Sequence, residues 1–202
     1  QQKEINQIRY ERQEVTHSKT QKKSSSVALN MDYGFEGNYY NNKVPNDNTL
    51  AISNDGLMIA GINSSYLIYD QNNDSILKRA TLNSLTFSFN QLLFVKKYDP
   101  KFIYDPNEDR FILVFLVGNN PINNHICVAF SSSNNPLDDW NVYMLTGDAL
   151  GTNHWTDYPA ISLTHDELFI TGNLLQHNVS WQEGFYQSLI WQIDKTQGYQ
   201  GN

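Results

Sequence analysis

Three stretches of the chain repeat one pattern, and this repeat limits the folds that the chain can adopt. They are residues 47–62, 99–116 and 157–173. Each starts with an aspartate, followed by a short apolar run, an acidic turn and a second, more apolar run. A third apolar run follows each stretch, and a fourth follows the first two. A recurring unit of about 50–60 residues with four antiparallel strands is typical of a propeller blade, so we predict an all-β propeller rather than a sandwich or barrel.

The apolar runs are short, rich in Val, Ile, Phe and Tyr, and bounded by Asn, Asp, Gly, Pro or Ser. This pattern predicts β-strands, because no window keeps the i, i+3, i+4, i+7 spacing of an amphipathic helix for three turns. We predict strands in all of these runs, including VALNM (27–31), LTFSF (85–89) and LLFVKKY (92–98).

The middle stretch, DPKFIYDPNEDRFILVF (99–115), predicts how one unit is built. We expect Asp99-Pro100 to start the innermost strand, where proline need not donate a hydrogen bond to the sheet. Residues 105–109 are expected to form the turn. The strand after the turn lacks polar alternation, which predicts that neighbouring sheets cover both of its faces.

The repeat divides residues 27–202 into three units, at about 45–98, 99–156 and 157–202. Residues 1–26 are polar with few apolar positions, and we expect a flexible N-terminal leader there. Closed propellers need about 4–8 blades. We therefore expect the three blades to be the N-terminal part of a longer propeller.

Composition and charge disfavour two classes of partner. The net charge is −7 at pH 7 and the sequence pI is about 5.1, which argues against nucleic-acid binding. No apolar run approaches the roughly 18 residues that a membrane-spanning helix needs. The chain starts with Gln1 rather than methionine, which favours removal of a signal peptide or of a longer segment. We expect a secreted or cell-surface protein.

Three motifs carry a family resemblance that covers about residues 45–202. They are DPKFIYDPNEDRFILVF, ICVAFSSSNNPLDDWNVYML and HWTDYPAISLTHDELFITGN. Their order resembles that of secreted bacterial β-propeller proteins of the Bacteroidetes cell-surface type, which are distantly similar to sialidase and glycosidase propellers. The resemblance implies a surface protein or a cargo of the type IX secretion machinery, with partners among surface glycans or outer-membrane secretion proteins.

Acidic residues recur at matching places in the units, namely at Asp47, Asp99 and Asp157 before the inner strands and at Asp109 and Asp166 in the turns. Their simplest role is structural, because aspartates close turns and accept backbone N–H bonds. Two alternatives stay open for the acids before the inner strands. Carboxylates around a propeller channel can bind Ca²⁺, or act as the base or nucleophile of a glycosidase. The histidines show no zinc-site spacing, so we predict no such metal site.

The densest polar and aromatic cluster is His154, Trp155, Asp157 and Tyr158, which we expect in a loop that enters a strand. Aromatic faces beside a carboxylate suit sugar binding, so these are the candidate ligand-binding residues. The structural alternative is that Trp155 and Tyr158 fill the gap between two blades. Taken together, we expect a non-enzymatic binding, adhesion or secretion-accessory propeller, with a glycoside hydrolase as the alternative and no catalytic residue assigned.

Overall fold

Short strands joined by Asn- and Asp-rich turns form three antiparallel sheets. The computed structural model describes residues 34–201. Sheet A consists of β1 (Thr49–Ile52), β2 (Leu57–Ile62), β3 (Ser65–Asp70) and β4 (Ser75–Thr81). Sheet B consists of β5 (Lys97–Asp105), β6 (Arg110–Val117), β7 (His125–Ser131) and β8 (Trp140–Thr146). Sheet C consists of β9 (His154–Leu163), β10 (Glu167–Gln176) and β11 (Phe185–Asp194). Within each sheet every strand pairs with its neighbour in sequence, so this part of the chain is all-β.

Helical structure in residues 34–201 is confined to three short segments. Two 3₁₀ segments, Leu82–Thr86 and Asn90–Leu92, connect sheet A to sheet B. A single α-helix, α1 (Lys195–Gln200), follows β11. It begins at Asp194, whose carboxylate accepts the N–H of Thr196 at 2.8 Å and so caps the first turn. Among the described residues, no helix is long and apolar enough to cross a membrane.

The apolar strand β6 contributes to two separate cores, one on each of its faces. Phe115 packs in a cluster with Ile59 of sheet A, whereas Leu116 packs in a cluster with Ile170 of sheet C. Because alternate residues of a strand point to opposite faces, both faces of β6 are buried. The prediction that neighbouring sheets cover both sides of this strand is confirmed.

The first strands of the three sheets lie side by side. Strand β5 contacts both β1 and β9, so sheet B lies between sheets A and C along this edge. We call the edge formed by β1, β5 and β9 the inner edge. It brings together the ends of three sheets that are distant in sequence. The described residues do not form a closed barrel or a closed ring of sheets.

Two of the predicted strands are wrong. The run LTFSF (85–89) lies in the first 3₁₀ segment and the turn after it, and only the last two residues of LLFVKKY (92–98) belong to a strand. Leu85, Phe89, Leu92 and Val95 of these runs pack in or against the core between sheets A and B, whereas Phe87 and Phe94 are exposed. A short apolar run does not by itself distinguish a strand from a buried turn. The predicted leader (1–26) and VALNM lie outside the described residues.

Two predicted boundaries at the inner edge are also corrected. Strand β5 begins at Lys97, so Asp99-Pro100 lies inside the strand, where the pairing with β6 shifts register between Tyr98 and Lys101. Strand β9 begins at His154, so the predicted loop is the start of a strand. A bulge places the proline where the sheet needs no N–H donor, and this is why a strand continues through it.

Candidate functional site

Asp99 lies at the inner edge, in the β-bulge of β5. Its backbone is in the left-handed region with φ of 50°, and its side chain is only 9% exposed. The backbone N–H of Asp99 donates to Oδ1 of Asn63 at 2.6 Å. Left-handed backbone is uncommon outside glycine, although aspartate tolerates it better than most residues. The bulge therefore presents a carboxyl group at a place where a regular strand would not.

Asn63 joins the acids of two neighbouring sheets. Its Nδ2 donates to Oδ2 of Asp47 at 2.5 Å and to the carbonyl oxygen of Pro45 at 2.7 Å, while its Oδ1 accepts from Asp99. Asp47 also lies near enough to Asp99 for its negative charge to raise the pKa of the Asp99 carboxyl. Asn63 therefore holds the carboxyl group of Asp47 near the bulge that presents Asp99.

The electrostatics of the inner edge favour protonated carboxyl groups. Burial raises the pKa of Asp99 to about 7, with further contributions from the negative charges of Asp157 and Asp47, while Lys101 opposes the shift. Burial also raises the pKa of Asp157, against the hydrogen bond from the N–H of Tyr158. Both shifts follow from taking acidic groups out of water beside like charges. The carboxyl of Asp99 therefore exchanges its proton near neutral pH.

Tyr158 stands beside these acids and is exposed to solvent. Its side chain is 65% exposed and its backbone φ is 54°. The ammonium group of Lys101 lies 5.7 Å from the centre of the ring, within cation–π range. A bulky residue in left-handed backbone is strained, and such strain is concentrated at functional sites. An exposed aromatic face and the protonatable carboxyl groups thus occur on the same edge.

The structure divides the four residues predicted to bind a ligand. Asp157 acts on Asp99 at the inner edge, next to Tyr158. Trp155 instead packs against the core between sheets B and C, which agrees with the structural alternative that it fills a gap between neighbouring sheets. His154 stacks on the ring of Tyr186, with ring centres 4.2 Å apart. The inner-edge site is therefore formed by Asp47, Asp99, Asp157 and Tyr158, with Lys101 above the ring.

The two acids predicted in the turns have local structural contacts. Asp109 accepts a hydrogen bond from the hydroxyl of Tyr104 through Oδ1 and from Nδ2 of Asn134, at 2.9 Å, through Oδ2. Asp166 contacts Nδ1 of His165 at 2.7 Å, and both side chains are exposed. These contacts stabilise the hairpin turns in which Asp109 and Asp166 lie.

Sequence reasoning missed Asn63 and Lys101, which complete the site. Asn63 shortly precedes the third strand of sheet A, and Asn124 directly precedes the third strand of sheet B. An alignment of the repeat therefore contains the signal for Asn63. Asparagine is so frequent in the turns of this chain that the matching pair does not stand out.

Within residues 34–201 no three His, Cys, Asp or Glu side chains are grouped to hold a metal ion. The calcium site that the sequence allows stays a prediction.

Removing the carboxyl of Asp99 should change how stability depends on pH. The folded state keeps this proton up to about pH 7, whereas the unfolded chain releases it near the usual pKa of 3.8. The folded state therefore binds more protons in this window, and the free energy of unfolding contributed by Asp99 falls as the pH rises. Between pH 4.5 and pH 8 we expect the free energy of unfolding of the original chain, measured in urea, to fall by about 3 kcal/mol more than that of Asp99→Asn. A pH-independent difference between the two proteins would contradict the raised pKa.

Comparison with known proteins identified no relative of this chain. No protein-family model matches the chain, no curated protein matches it, and no solved structure matches it. The functional argument therefore rests on the residues of the chain itself.

Proposed function

We propose that this chain contributes the first three blades of a β-propeller, with sheets A, B and C as those blades. The side-by-side first strands and the burial of β6 on both faces support this arrangement, because propeller blades pack face to face around a common axis. Further blades would close the ring. They would cover the outer face of sheet C in the way that sheet C covers sheet B.

We infer that the propeller is a binding module whose ligand is a hydroxyl-rich glycan at the inner edge. The observation that carries this inference is the exposed ring of Tyr158, in strained backbone next to Asp157 and near Lys101, whose charge also acts on Asp99. An aromatic face packs against the C–H groups of a sugar, and carboxyl groups exchange hydrogen bonds with its hydroxyls. The family resemblance adds an extracellular setting, as an adhesin or as a cargo or accessory subunit of type IX secretion.

A glycan array tests this function. The purified chain should bind a subset of glycans, and Tyr158→Ala should weaken that binding about tenfold, because the ring supplies the apolar contact. The matched control is Phe87→Ala, which removes an exposed aromatic ring that is not part of β1, β5 or β9 and should leave binding unchanged. Glycan binding that is insensitive to Tyr158→Ala, or the absence of any glycan binding, would contradict the proposal.

A glycoside hydrolase is the second candidate, favoured by the unequal environments of the three inner-edge acids. Asp99 is buried with a pKa near 7, whereas Asp47 and Asp157 are only half-buried. A hydrolase needs one carboxylic acid that is protonated at neutral pH and one carboxylate. Release of nitrophenolate from aryl glycosides by the chain, abolished in Asp99→Asn, would favour this candidate over the binding module.

A further inference from the structure

A pocket of about 540 Å³ lies at the start of sheet A, between the segment before β1 and the first two strands. It is lined by neutral polar and apolar residues, among them Asn38, Tyr40, Asn46, Asn48 and Leu50. Its volume lies within the range of sites that bind small molecules. Among residues 34–201, none of those that line it carries a charged side chain. This disfavours an ionic ligand, because a charged group would find no partner there.

The pocket offers free amide groups. The side chains of Asn46 and Asn48 are exposed and make no hydrogen bond to the described part of the chain. Each amide has a carbonyl acceptor and two N–H donors, so together they can meet both kinds of hydrogen bond that a sugar hydroxyl makes. Asn38 has a different role, since its Nδ2 donates to the carbonyl oxygen of Ala60 at 2.9 Å and fixes the wall of the pocket.

An aromatic ring faces the same space. Tyr40 lines the pocket and is 68% exposed, and Leu50 adds an exposed apolar side chain from β1. An exposed ring beside free amides suits a ligand with alternating C–H and hydroxyl surfaces. Asp47, between Asn46 and Asn48 in sequence, is not among the residues that line the pocket, and its charge acts on Asp99 instead. The pocket therefore adjoins the inner edge along β1 and shares one chain segment with it.

We propose that this pocket binds one neutral pyranose unit of a glycan, with Asn46 and Asn48 on its hydroxyls and Tyr40 on its face. The inference rests on the proposed function only for the class of ligand. A neutral sugar fits better than an acidic one, because the lining has no cation and the chain carries a net charge of −7 at pH 7. A glycan that extends beyond one unit would reach from the pocket toward the inner edge.

Saturation-transfer NMR on the full chain tests the pocket, with cellobiose, lactose, maltose and N,N′-diacetylchitobiose as neutral probes and 3′-sialyllactose as the acidic probe. At least one neutral disaccharide should bind more tightly than sialyllactose. Asn48→Ala and Tyr40→Ala should each weaken that binding about tenfold, since each removes a hydrogen bond or a stacking face. Tyr40→Phe keeps the ring and should bind within about threefold of the original chain. Asn119→Ala, an exposed asparagine outside the pocket, is the matched control and should change nothing.

The outcomes separate this site from the inner-edge site. Sugar binding that Asn48→Ala weakens and Tyr158→Ala leaves intact supports the pocket and contradicts the inner edge as the sugar site. Binding that only Tyr158→Ala weakens overturns the pocket and leaves the proposed function standing. If none of the neutral disaccharides binds at about 10 mM, the proposal that the pocket binds a sugar is also contradicted. Unchanged circular dichroism and thermal midpoint of each variant show that a loss of binding is not a loss of folding.

Discussion

Replacement of Lys195 by methionine is expected to lower the free energy of unfolding by about 3–5 kcal/mol. Lys195 and Asp105 are each only 1% exposed, and their Nζ and Oδ2 atoms lie 2.5 Å apart. Tyr199 donates its hydroxyl to the same oxygen at 2.9 Å, and Lys195 also donates to the carbonyl oxygen of Thr164 at 3.0 Å. These bonds fasten α1 against sheet B. Without the lysine, a buried carboxylate loses its positive partner, which is among the most destabilising changes a core can suffer.

Urea unfolding at pH 7 measures this loss, and two further variants interpret it. Lys195→Met with Asp105→Leu removes both charges and should be more stable than Lys195→Met alone, because no unpaired charge stays buried. Lys78→Met replaces an exposed lysine and should change the free energy of unfolding by less than about 0.5 kcal/mol. A loss below about 1 kcal/mol for Lys195→Met would show that the ion pair is not held as the structure describes.

The same pair predicts a dependence on acid. Burial acts to raise the pKa of Asp105, but the hydrogen bonds from Lys195 and Tyr199 outweigh burial, so the pKa lies below the usual value of 3.8. The unfolded chain therefore takes up this proton at a higher pH than the folded chain does. The stability that Asp105 contributes is present above about pH 4 and is lost as the pH falls through the folded pKa. The difference between the original chain and Lys195→Met should therefore shrink as the pH falls, because the buried carboxyl of Asp105 takes up a proton more readily without its lysine.

Local chemistry predicts much of this fold, and tertiary packing accounts for what it misses. The turns at Asn54–Gly56 and 105–109 follow from residues that tolerate left-handed backbone, and the strands around them follow from β-branched and aromatic runs. The sequence did not predict the 3₁₀ segments, because their apolar residues Leu82 and Leu92 pack in a core that distant strands form. Helix α1 was missed because six residues around Gly198 carry no helical pattern, and its anchor is the long-range pair with Asp105.

The candidate site shows the same division. The repeat alone indicates Asp47, Asp99 and Asp157, because each opens one copy of the repeat. Their effects on one another and their unequal burial depend on how three sheets meet, which no local pattern records. The grouping of His154 and Trp155 with Asp157 failed for the same reason. His154 and Asp157 are three residues apart and so point to opposite faces of a regular strand, whereas Trp155 packs against the core between sheets B and C.

Replacement of Asn124 by alanine is expected to cost about 2–4 kcal/mol, because it breaks a bridge between sheets B and C. Asn124 is 2% exposed, and its Oδ1 accepts the backbone N–H of Thr156 in β9 at 2.7 Å. Its Nδ2 donates to the carbonyl oxygen of Gly118 at 3.0 Å. Alanine leaves the N–H of Thr156 buried without a partner, whereas Gly118 keeps the hydroxyl of Tyr98 at 2.8 Å. The cost is thus mainly one orphaned donor plus the space of the lost side chain.

The control for this bridge is Asn119→Ala in the same loop, where the side chain is exposed and the expected change is below about 0.5 kcal/mol. Hydrogen exchange gives a local readout, because the amide of Thr156 should lose protection in Asn124→Ala by more than the global loss of stability explains. Gly147→Ala is a second probe, since its Cβ would lie 1.6 Å from Oδ1 of Asn124 and push the bridge aside.

Asn63 makes the corresponding bond to Asp99 one sheet earlier, at 2.6 Å. If both bridges join neighbouring sheets, Asn63→Ala should also release Asp47 from its position near Asp99, and a free energy of unfolding that keeps its Asp99-linked pH dependence in that variant would contradict this role.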